Sequence, residues 1–127
     1  MNPEVSTSDV ISYVSAVLAL YLGLPETPLR VTAQDQKHAR QLRDRGVPLR
    51  IVEAAFLLAS LRRLLRPADA PPLSPVRSLA YFQPVITELL ANPVPENYLE
   101  YLRLKLRHIA GGKITAEVQK TTFSHDR

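Results

Sequence analysis

Lysine and arginine side chains can bind phosphate without any partner residue, through charge and charge-assisted hydrogen bonds. In this sequence they gather at three places: Lys37, Arg40, Arg43 and Arg45; then Arg62, Arg63 and Arg66; then Arg103, Lys105 and Arg107, with Arg50 between the first two groups. Contacts of this kind give affinity that falls steeply with salt and carries little sequence information. Each group also has a plainer explanation. The first would decorate a solvated helix face. The second would sit at a helix C-terminus, where a cation opposite the helix dipole contributes about 0.3–1 kcal/mol.

Other chemistry is thinly represented. His38, His108 and His125 lie far apart, and only Asp35 and His38 stand at a spacing that brings two ligand types onto one helix face. Four glycines, at 23, 46, 111 and 112, stand where helices stop rather than in a phosphate-cradling loop. No serine occupies a nucleophile elbow, and no two carboxylates are spaced to share a cleft. The expectation is a module without catalysis, metal or cofactor.

Composition narrows the setting. A chain of 127 residues, 46% hydrophobic, suits one domain with a real core. With no cysteine there is no disulfide framework and no thiolate metal site, so a cytoplasmic location is expected. The apolar run from Val10 to Leu24 is broken by Ser12, Ser15 and Gly23 and lacks the flanks of a signal peptide or a membrane span. The net charge of +4 is distributed in alternating blocks, −3 over residues 1–29, +6 over 30–66, −3 over 67–102 and +4 over 103–127. Such blocks either expose a basic surface to nucleic acid or pair with one another within the fold or between copies.

The elements that must position these cations are helices. Pro48 suits a first helical position and Pro67 forbids continuation, so 48–66 reads as one helix of about five turns. From Ala54 to Leu61 only Ser60 is polar, which makes this the central helix that the others must wrap. Ser8 is placed to cap a helix through Leu22, after a loose leader. Thr32 with Asp35 makes a capping box for a helix running to Arg45 and stopped by Gly46; its apolar stripe, Ala33, Ala39 and Leu42, is thin, so its basic face is turned to water. After a proline-rich connector, Ser74 and Pro75 open a helix over 74–92 that Pro84 either kinks or divides in two. Pro95 and Glu96 open the last helix, whose Leu99, Leu102, Leu106 and Ile109 form a narrow packing seam. Gly111 and Gly112 end it. The whole is an all-α compact bundle of about five helices in a single domain over 1–110, with 111–127 as a flexible tail that Ile114, Val118 and Phe123 could anchor on a partner.

The order basic helix, Gly46, apolar helix also resembles a helix-turn-helix, in which the second helix would present Pro48, Leu49, Arg50, Glu53 and Ala54 to base edges. Only Arg50 is a good base reader there, and Glu53 would repel phosphate.

Two stretches, from Ala39 to Ala55 and from Arg77 to Leu90, resemble the closing helical region of replication-initiator-associated proteins of plasmids, phages and bacteria, including the DnaD-like group. The shared features are a basic helix, a Gly-Val-Pro turn and a later helix beginning Ala-Tyr-Phe. The resemblance covers roughly residues 37–92. It departs from the DnaD-like pattern in having no tryptophan and no preceding winged-helix module. It implies an association with DNA or with replication and mobile elements, without identifying a site.

The resulting expectation is a DNA-binding or nucleoprotein-associated module whose contacts are Lys37, Arg40, Arg43, Arg45, Arg50, Arg62, Arg63 and Arg66, with no membrane partner. The second expectation is a protein-interaction module, a homo-oligomer joined through the Leu99–Ile109 seam.

Overall fold

In the computed structural model, the backbone is described for residues 7–28 and 30–122 and the side chains for 11–28 and 30–110. Five α-helices and one 3-10 turn make up the regular structure: α1 Thr7–Leu22, α2 Ala33–Asp44, α3 Leu49–Leu64, the 3-10 turn Leu79–Phe82, α4 Gln83–Ala91 and α5 Glu96–Thr122.

α3 is the axis of the bundle. Nine of its residues, from Ile51 and Val52 through Leu61, are buried, Ser60 included. They are covered by α1, the 3-10 turn, α4 and α5. A helix apolar on every side can persist only if it is enclosed in this way. Pro48 is the N-cap, in extended conformation, rather than the first helical residue, and the helix closes at Leu64, two residues short of the expected end. At the centre, the rings of Tyr21, Phe56 and Phe82 pack on one another with centroids 4.8–6.4 Å apart, tilted or edge-on as their quadrupoles favour.

α2 is an outer layer lying against α1 and the 3-10 turn. Its start is the expected capping box: Asp35 N–H donates to Thr32 Oγ1 at 3.1 Å and Thr32 N–H donates to Asp35 Oδ2 at 3.0 Å. Gly46, with φ of +74°, ends it; an L side chain is strained there, which is why glycine occupies the position. The Tyr13 hydroxyl donates to the Val47 carbonyl at 2.8 Å and ties this turn to α1.

Two expectations are corrected. Ser74 and Pro75 open no helix: residues 71–77 have no regular structure, and the helical run divides into the 3-10 turn and α4. Pro84 decides this, since α4 begins where a proline's missing N–H falls among donors without an intrahelical partner. The glycine pair at 111 and 112 does not end α5, whose backbone continues helical to Thr122. A helical glycine costs about 1 kcal/mol against alanine, a weakening and not a prohibition. The side chains of Ile114, Val118 and Phe123 lie outside the described residues, as do residues 1–6 of the expected leader and residues 123–127.

Candidate nucleic-acid interface

On α2, with about 100° between successive residues, Asp35, Ala39 and Leu42 share the buried side and Lys37, Arg40, Gln41 and Asp44 the opposite one. Lys37, Arg40 and Arg45 are exposed, and Arg43 is half-buried at the edge. Arg50, in the first turn of α3, is exposed just beyond the Gly46 turn. Among the described residues none of these five cations has a carboxylate within ion-pair distance. Asp44, also exposed, is the one acid among the described residues of the patch.

The inner side of α2 explains why its outer side is fixed. Asp35 is 1% exposed and its carboxylate does two jobs: Oδ2 closes the capping box, and Oδ1 accepts the Leu79 N–H at 2.9 Å, across 44 residues. His38 and Gln83 meet at 2.7 Å, with the Nε2 N–H donating to Oε1, and join α2 to α4. A helix pinned in its first turn at Asp35 and at its middle at His38 resists rolling, so its cations hold one direction.

The cations at 62–66 are placed differently. Arg62 makes a two-pronged bond to Glu88, 3.0 and 2.8 Å, and this fork holds the Glu88 carboxyl below its ordinary range. The Arg63 side chain is only 7% exposed: Nε donates to Glu26 at 2.8 Å, Nη1 to the Tyr81 hydroxyl at 3.1 Å and Nη2 to the Ser74 carbonyl at 2.9 Å. Arg66 donates to the Pro71 carbonyl and meets no carboxylate among the described residues. Arg62 and Arg63 thus staple the connector, α4 and the α1–α2 loop to the end of α3. They are not gathered with the α2 cations into one surface.

Arg103 is likewise engaged, with Nε and Nη2 on Glu53 at 2.7 and 2.8 Å and Nη1 on Glu100. That pair occupies Glu53, one of the positions a helix-turn-helix would present to DNA, and Ala54 is buried. Beyond its first turn α3 is enclosed by its neighbours, which leaves no free face to lie in a groove. The Leu99, Leu102 and Leu106 seam is buried in the chain's own core, with Ile109 packed against it, and is the joint between α5 and α3.

Two of these arrangements have no signature in the sequence. Nothing in the spacing of Asp35 announces a bond to residue 79, and Arg63 is indistinguishable by type from its neighbours; the carboxylate at Glu26 that receives it lies 37 residues away. Among the described residues no three histidines or carboxylates gather closely enough to hold a metal ion, and no helix is long and apolar enough to cross a membrane. Comparison with protein-family models, with curated proteins and with solved structures yields no match.

Proposed function

We propose that this chain binds nucleic acid without reading its sequence, through phosphate contacts from Lys37, Arg40, Arg43 and Arg45 on α2 and from Arg50 beyond the turn. One contrast supports it. Arg62, Arg63 and Arg103 are matched by the chain's own acids, and the other unmatched cations of the described fold, such as Arg30, Arg66 and Arg77, are spread along the chain, whereas the five around α2 are unmatched and stand together on one helix and around the turn that follows it. Leaving like charges together unneutralised opposes folding slightly, and an anionic partner relieves it. A setting in replication or on a mobile element rests on the resemblance at 39–55 and 77–90 and belongs to the same proposal.

The test is fluorescence anisotropy with labelled duplex and single-stranded DNA over rising salt. With four or five phosphate contacts the log–log slope on duplex is about −4, and affinity drops about 250-fold between roughly 50 and 200 mM salt. Lys37→Glu with Arg40→Glu abolishes binding while the melting temperature holds. Binding indifferent to salt, or absent at the lowest salt, would refute the proposal.

A further inference from the structure

The end of α3, the proline-rich connector, the 3-10 turn and the start of α4 border an open cleft of about 410 Å³. One wall is apolar, made by Ala59, Leu73, Pro84 and Val85, with Tyr81 beside them. Leu73 and Tyr81 are each about two-fifths exposed, apolar surface that the fold leaves facing into the opening. The other wall is three guanidinium groups, those of Arg62, Arg63 and Arg66.

The charges on that wall do not cancel. Glu88 neutralises Arg62 and Glu26 neutralises Arg63, which leaves Arg66 one positive charge in excess. An arginine offers five N–H donors. Arg66 gives one of them to the Pro71 carbonyl, which steadies the group without discharging it, and four remain for a visitor. Arg63 cannot swing away, being held at Glu26, Tyr81 and Ser74 and lying 5.3 Å over the Tyr81 ring. Glu26 keeps its place in that set with φ of +66°, a region non-glycine residues seldom occupy. The Arg63 part of the wall is therefore set before any ligand arrives, which lessens the ordering entropy that opposes binding.

We infer that this cleft is a binding site for a small amphipathic monoanion, an aromatic or branched aliphatic carboxylic acid whose apolar body lies on Leu73, Tyr81 and Val85 and whose carboxylate meets the Arg66 guanidinium. It is separate from the α2 surface and stands or falls independently of nucleic-acid binding. A polyanion is a poorer match, because a single unmatched charge answers a single carboxylate.

The experiment titrates the full chain with 2-naphthoate and with its neutral counterpart 2-naphthamide, following backbone amide shifts by NMR. Naphthoate shifts the amides of Leu73, Tyr81 and Val85 in a saturable way, and naphthamide binds about fivefold more weakly, near the upper range for one exposed charge pair. Arg66→Gln, at an exposed site, keeps the melting temperature and removes the preference for naphthoate. Leu73→Asp weakens both probes. Equal affinity for acid and amide, an unchanged preference in Arg66→Gln, shifts centred elsewhere on the chain, or no saturable shift at millimolar probe would each overturn the assignment.

Discussion

Replacing Asp35 by alanine tests how much one buried side chain does for the placement of α2. The side chain accepts two hydrogen bonds, from Thr32 N–H at 3.0 Å and from Leu79 N–H at 2.9 Å. The first donor is at an exposed residue and can turn to water, a loss of about 0.5–1 kcal/mol; the second belongs to a fully buried residue and would be orphaned, at about 1–3 kcal/mol. The total is about 2–4 kcal/mol. For a domain of this size, where each kcal/mol moves the midpoint by about 3–5 °C, Asp35→Ala should melt roughly 8–16 °C lower. Thr32→Ala removes only the capping bond and should lose about 1 kcal/mol. Circular dichroism melts of the two variants separate these contributions, and hydrogen exchange at the Leu79 amide locates the difference. Equal losses in both variants, or unchanged protection of that amide, would show that the bond across 44 residues contributes nothing.

Other outcomes follow from single features. The Tyr21 hydroxyl is buried with no hydrogen-bond partner among the described residues, so Tyr21→Phe keeps the ring packing and should raise stability by about 1 kcal/mol in urea denaturation. Burial pushes the pKa values of Tyr13 and Tyr21 up to about 12, with Asp35 adding to the shift at Tyr21 and Arg43 opposing it at Tyr13. The folded state therefore holds these protons above pH 10 when the unfolded chain has begun to release them. Stability from this source is intact below pH 10 and is lost as pH rises from 10 towards 12; the Tyr13→Phe, Tyr21→Phe double variant should flatten that decline in a series of denaturation curves. Gly46→Ala should cost about 1–2 kcal/mol from backbone strain alone, because an added Cβ meets nothing within 4 Å. Arg103→Met strands the Glu53 carboxylate, which is largely covered, and should destabilise by about 1–2 kcal/mol; adding Glu53→Gln should recover part of the loss.

Helix positions were legible in the sequence wherever a local rule acts alone. The capping box at Thr32, the stop at Gly46 and the enclosure of Ala54–Leu61 all follow from interactions within one or two turns. Residues 74–78 were misread because Ser-Pro is a sound helix start by local rules, while the structure starts the α-helix nearer Pro84. The Leu99–Ile109 spacing identified a packing seam and left its partner open between the chain's own core and a second copy, since periodicity says that a face is covered and not by what. At the candidate site the same limit applies. Residue type marked eight cations; only the tertiary fold brings Glu88 to Arg62 and Glu26 to Arg63 and leaves those of α2 unmatched.

The three packed rings at the centre bear on how this chain comes to be assembled. Phe56 follows Tyr21 by 35 residues and Phe82 follows Phe56 by 26, so a nascent polypeptide emerging from its amino end has two of them before the third. Until residue 82 is available, Phe56 presents a greasy flank to its surroundings. That interval is when a helper protein would find something to hold, and when two immature copies would most readily stick together.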